Sequence, residues 1–167
     1  MTSVALILLV RAVHILGGVF WAGSTFLLTW VIFPIGARHA AEGAGRWVGM
    51  IARKAGPVSG ISAILTVLSG IYLIMVLHPG DESAAGKVLQ IGAIAALTSF
   101  FVGILVGRPA GRKLLQLMEQ QSGQPSPAEL AQRESLRKRA AVSSVLVAVL
   151  LLVAVLSMAT FRYVQAL

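Results

Sequence analysis

Four long apolar stretches, Val4 to Phe33, Val58 to Leu77, Val88 to Val106 and Ala140 to Thr160, constrain this chain more than anything else in it. Each is long enough to cross a hydrocarbon layer, which takes about 20 residues of helix. In lipid the backbone N–H and C=O groups have no water to bond, so spans of this kind must be helical. The expected fold is therefore all-α, a four-helix transmembrane bundle forming a single membrane domain over residues 1–167. The composition agrees, with 57% hydrophobic and 12% charged residues, where soluble domains carry about 25% charged. Arg11 interrupts the first apolar run, which then resumes for many residues, so that run reads as a retained helix rather than a cleaved signal. There is no cysteine, which excludes disulfides, thiolate ligands and thiol nucleophiles.

A net charge of +8 would suggest a nucleic-acid partner in a soluble protein, but its placement argues against one. Arg38, Arg46, Arg53 and Lys54 lie between the first two spans. Arg108, Arg112, Lys113, Arg133, Arg137, Lys138 and Arg139 lie between the last two. Both connections fall on one side of the bilayer, and the positive-inside bias assigns that side to the cytoplasm and both termini to the outside. The expected location is a bacterial-type inner (cytoplasmic) membrane, with the bilayer itself and anionic lipid at the cytoplasmic loops as partners. No nucleic-acid partner is expected.

Helix boundaries follow from proline, glycine and capping residues. The first helix is expected over about 4–33, ended by Pro34. Residues 37–54 mix small, charged and apolar side chains around Trp47, which suits a short interfacial helix. Gly56-Pro57 opens a second helix over about 58–77, closed by the turn His78-Pro79-Gly80-Asp81. The third helix is expected over about 85–120, because Leu114, Leu115, Leu117 and Met118 resume a helical period beyond Arg108. SGQPSP is the turn. Ser126, with Pro127 next and Glu129 three residues on, reads as a capping box opening a fourth helix over about 127–163. A helical hairpin should thus extend the last two helices roughly 20 Å into the cytoplasm.

The stretch RAVHILGGVFWAG carries the functional question. At about 100° per residue His14, Gly17, Gly18, Trp21 and Thr25 share one stripe with Arg11 at its edge, and the opposite face is aliphatic. Stripes of Ser59, Ser62, Thr66 and Ser69, and of Lys87, Gln90 and Thr98, are expected to converge on it. Hydroxyl and glycine stripes are the ordinary means of close helix packing in membranes. A lone histidine can likewise bond a neighbouring hydroxyl and do nothing more. Against that, an ionisable side chain at this depth is costly and marks a functional site by default. Gly17 and Gly18 leave room beside the imidazole for a flat macrocycle, Trp21 can wall that space, and Arg11 can pair with a carboxylate. Haem b, with His14 as the metal ligand and Arg11, Gly17, Gly18 and Trp21 as cofactor-binding residues, satisfies all of these. Lys87 or Arg162 could take a propionate as well. A second axial ligand is not evident: on the wheel His78 falls nearly opposite the serine and threonine stripe, which leaves Met158, a five-coordinate iron, or another subunit.

RAVHILGGVFWAG resembles the first helix of the HemJ-type protoporphyrinogen oxidases and the related copper-resistance protein D (CopD) membrane family: a basic residue, histidine three on, tryptophan seven later, then a small pair. ARKAGPVSGISAILTVLSGIYLI and AGKVLQIGAIAAL are similar to the same family's second and third helices. The resemblance implies haem ligation by His14 and an assisting, catalytic role for Lys87. The chain departs from the family where Leu97-Thr98-Ser99-Phe100 replaces a further histidine and where the hairpin from Arg108 to Arg139 is added.

Two readings follow. One is a haem-binding membrane protein with an oxidoreductase or electron-transfer role. The other is a non-catalytic accessory subunit, a homo-oligomer or part of a larger membrane complex, with the hairpin as docking element. Leu114, Leu115, Leu117 and Met118, which need covering, favour the second; Arg11 and His14, which packing does not need, favour the first.

Overall fold

The computed structural model describes residues 3–120 and 124–166. Four helices long and apolar enough to cross a membrane account for nearly all of them: α1 Val4–Arg38, α2 Ala44–Leu77, α3 Ala84–Glu119 and α4 Pro127–Val164. The expected all-α four-helix bundle is what the chain forms, and it is a multi-pass membrane protein. α1 packs chiefly on α2, and α3 on α4, so the bundle is two helical pairs laid side by side. The ends of α1, α2 and α4 that carry Arg11, His78 and Arg162 meet at one end, called here the termini end. The extensions of α3 and α4 form the hairpin end. Most large aliphatic side chains face outward, including Leu16, Leu68, Leu105 and Val142, as a lipid-facing surface requires.

The caps explain where the helices begin. Ser3 accepts from the Leu6 amide and Ser83 from the Gly86 amide. At the start of α4 the Ser126 hydroxyl accepts from the Glu129 amide while the Glu129 carboxylate accepts from the Ser126 amide. That is the reciprocal capping box expected from the sequence, and it satisfies two donors that a helix start leaves unbonded. Of the expected turn, Ser122 and Gly123 lie outside the described residues.

Pro34 does not end the first helix as expected: α1 runs through it to Arg38. α3 runs through Pro109 to Glu119, as its expected span of about 85–120 requires. In each case the preceding turn is widened. The Phe33 amide bonds the Leu28 carbonyl and the Arg108 amide bonds the Gly103 carbonyl, both i to i−5. A proline ring collides with the carbonyl four residues back, and a π-turn moves that carbonyl away. Pro57 likewise lies inside α2, so there is no separate interfacial helix over 37–54: residues 37–38 end α1, the chain turns at Gly43, and 44–54 are the first part of one 34-residue helix. Packing holds that extension: Gly49 sits against Leu115 and Gly45 against Met118, and Arg53 pairs with Glu119. The apolar face of the hairpin is thus partly covered within the chain. Gly36 admits Val48 where α1 meets the start of α2.

The α3–α4 seam is built of small residues. Ala85, Gly92, Ala95 and Ser99 of α3 are buried against Ser143, Val147, Ala148, Leu151 and Ala154 of α4. Close backbone approach of this kind supplies the van der Waals contact that drives helix association in lipid. Lys87, Gln90 and Thr98, expected on the inner face, are exposed. The alanines and glycines between them face inward instead, because in lipid small residues rather than polar ones let two backbones approach.

Candidate functional site around His14

The stripes of α1 and α2 do converge. Ser24 bonds Ser59 at 3.2 Å, and the Thr25 hydroxyl donates to the Trp21 carbonyl of its own helix. About three turns away along α1, His14 lies against the α2 backbone with Nδ1 2.9 Å from the Thr66 carbonyl and 3.3 Å from the Ser69 hydroxyl. A carbonyl oxygen can only accept, so Nδ1 carries the hydrogen and the neutral ring keeps its lone pair on Nε2. Gly70 makes the approach possible, since a Cβ there would stand 2.8 Å from the imidazole Cε1 and 3.2 Å from Nδ1. An imidazole whose one nitrogen is fixed by a backbone carbonyl is the arrangement that orients histidine ligands to metals. It is also a complete packing interaction by itself.

What surrounds the ring separates these possibilities. His14 lines two adjoining cavities. The central one, about 370 Å³, lies between the helical pairs and is walled by all four helices, with Gly18, Trp21, Gly70, Leu97 and Met158 among its residues. The second, about 230 Å³, opens at the termini end and shares His14, Ile15, Gly70, Ile74 and Met158 with the first. Its rim carries Arg11, His78, Phe161 and Arg162. The space therefore runs from a cationic mouth past the imidazole into an apolar interior. Trp21 closes it. This side chain is 6% exposed, meets Phe100 edge to face with centroids 6.4 Å apart, and joins Ala63, Val147 and Leu151 in the buried core.

The expected site residues are thus partly assembled. Arg11, His14, Gly18 and Trp21 border one continuous space. Gly17 does not: a Cβ there would stand 2.7 Å from the Thr66 hydroxyl and 3.2 Å from the Ser62 carbonyl. The expected gap beside Gly17 is filled by α2, and this glycine serves helix packing. Lys87, in the first turn of α3, is exposed and borders neither cavity that His14 lines.

His78 is nearer the site than its wheel position implied. α2 ends at Leu77, and His78 has left helical geometry with φ −136°, so the wheel no longer applies to it. Its ring stands edge-on to Phe161 at 5.6 Å, with Nδ1 3.6 Å from the Asp81 carboxylate. Bonds from the Ser83 hydroxyl and amide hold the Asp81 carboxyl below the ordinary aspartate range. His39 is exposed and pairs with Glu42, as a solvated loop histidine does.

Thr66 lies on the stripe expected to converge, but it acts through its carbonyl, which no side-chain pattern reveals. Gly70 escaped the sequence reading altogether. It is a glycine inside a helix interior, a signal that was present. Among the described residues no three His, Asp or Glu side chains gather into a metal-binding group. No protein-family model, curated protein or solved structure matches this chain.

Proposed function

We propose that the chain is a membrane haem protein with an oxidoreductase or electron-transfer role, its cofactor held in the space that His14 borders. The observation that carries this reading is the bond from His14 Nδ1 to the Thr66 carbonyl, which leaves the Nε2 lone pair on a ring bordering two cavities. The donor set favours a metal that arrives already held by an organic group, since among the described residues no three His, Asp or Glu side chains gather to bind a bare ion. A cavity of about 370 Å³ with an adjoining one of about 230 Å³ falls in the range of cofactor sites, about 300–1,000 Å³. The amphipathic character of haem b suits a space with an apolar interior and a cationic mouth. When bound, the group supplies one-electron chemistry. His14 would hold the iron, Arg11 and Arg162 would receive the propionates, and Trp21 would separate the site from the hairpin end. Met158 borders both cavities and would be the residue to hold the iron together with His14.

The resemblance to HemJ-type and CopD proteins is consistent with this reading and adds an assisting role for Lys87, which would have to act from outside the cavities. The positive-inside bias supports a bacterial-type inner membrane with the hairpin in the cytoplasm. The accessory-subunit reading keeps less support, because the extension of α2 already packs against Leu115, and it rests on what Met118, 46% exposed, leaves uncovered. The deciding experiment is a visible absorption spectrum of the purified protein, oxidised and reduced. A Soret band with reduced α-bands is expected; their absence after expression with supplemented haem would remove the reading.

A further inference from the structure

We propose that a separate cavity, toward the hairpin end of the bundle, is a binding site for a phosphate-type oxyanion held by Arg108. This site does not rest on the haem reading, since Trp21 and Phe100 stand between the two spaces. The cavity measures about 180 Å³, and Thr25, Ser59, Gly60, Ser99 and Arg108 are among its lining residues.

Three observations point the same way. The first is the arginine. Arg108 is half-buried at the border of the apolar layer, and its guanidinium crosses to α2, where Nη2 donates to the Gly56 carbonyl at 3.3 Å. Among the described residues it makes no ion pair, so most of its five donors are free for an acceptor. A charged side chain held at the membrane border without a counter-ion is by default a mark of function.

The second is the seat. A Cβ at Gly60 would overlap Arg108 Nη2, so the guanidinium occupies space that only glycine leaves. The third is the backbone. Leu28 and Gly103, which begin the two π-turns, both line this cavity, and so do Gly56 and Gly60 on either side of Pro57. Two of the four helices thus depart from regular α geometry around one space. Irregular backbone at this depth is tolerated where it lines a cavity, and π-turns recur at functional sites.

A planar guanidinium with free parallel N–H groups binds carboxylate or phosphate oxygens two at a time. At the membrane border the phosphate chemistry has two sources, a phospholipid headgroup or free phosphate. The test is isothermal titration of the full chain in neutral detergent with inorganic phosphate, and in parallel with a short-chain phosphatidylglycerol. Saturable binding of at least one compound is expected. Binding of phosphate alone assigns the site to a solute; binding of the lipid alone assigns it to a headgroup. Arg108→Gln should weaken the affinity about 10- to 100-fold, the scale of lost charge-assisted bonds, while the exposed Arg112→Gln should leave it unchanged. Gly60→Ala keeps the charge but unseats the guanidinium, and it decides the matter if Arg108→Gln fails to fold. Saturable binding of neither compound, or binding that survives the unseating of Arg108, overturns the proposal.

Discussion

Replacing Gly70 by alanine tests the seat of His14 without touching His14 itself. A new Cβ would stand 2.8 Å from Cε1 and 3.2 Å from Nδ1, where carbon atoms prefer about 3.5–4.0 Å. The imidazole then has two choices. It can stay, at an overpacking cost of about 1–3 kcal/mol, or swing away and forfeit its bond to the Thr66 carbonyl, a loss of about 0.6–1.7 kcal/mol by the scale of interhelical bonds in membranes. Either is set against a helix-propensity gain of up to about 1 kcal/mol for glycine to alanine. Gly23→Ala supplies the control, because nothing lies within 4 Å of its Cβ position and it should show the gain alone. The ring takes the cheaper course, so Gly70→Ala should be about 0.6–1.7 kcal/mol less stable than Gly23→Ala, measured by denaturant unfolding in mixed micelles. In a His14→Ala background the difference between the two alanines should nearly vanish, since the ring they compete over is gone. Equal stabilisation by both alanines in the unmodified chain would refute the reasoning.

Ser126→Ala removes the side-chain half of the capping box and should cost about 1 kcal/mol of local helix stability, read as faster amide exchange over residues 128–130 with the membrane spans unaffected. Cysteines placed at Ser83 and Gln120 should react with an impermeant reagent from opposite sides of the membrane, Ser83 from outside; labelling of both from one side would overturn the topology. The Asp81 carboxyl is held below its ordinary value of 3.8 by Ser83. Its contribution to the α2–α3 turn is therefore present above that value and lost as the pH falls through the lower folded-state value. Amide exchange in this turn should accelerate at acid pH, and Asp81→Asn should remove that dependence.

The spans were legible because hydropathy and hydrogen-bond satisfaction in lipid leave one solution, and the capping box was legible because Ser126, Pro127 and Glu129 act locally. Proline misled for a definite reason. Pro34 and Pro57 are terminators in water, but here neighbouring helices and widened turns absorb the lost bond, and the helices continue to Arg38 and back to Ala44. The α1 stripe was correctly placed because Trp21 and His14 are large and singular. The α3 stripe was misplaced because Lys87, Gln90 and Thr98 were weighed as polar, while the packing surface follows small size, as at Gly92 and Ser99. The partner of His14 was hidden, since Thr66 presents a backbone carbonyl rather than its hydroxyl. Arg108 counted as one loop charge among many, and nothing in its neighbours in sequence reveals that Gly60 on α2 is its seat.

The central claim is that His14 is a metal ligand and not only a packing residue. It is tested most directly by deleting the side chain and giving the imidazole back. In His14→Gly the bundle should still insert, because its hydropathy and charge bias are untouched, but the haem spectrum should be lost or shifted. Free imidazole added to the haem-supplemented variant should then restore the parent spectrum by entering the space the ring has left. A His14→Gly spectrum identical to the parent, before and after imidazole, would contradict the account and leave His14 as a helix-packing residue bonded to Thr66.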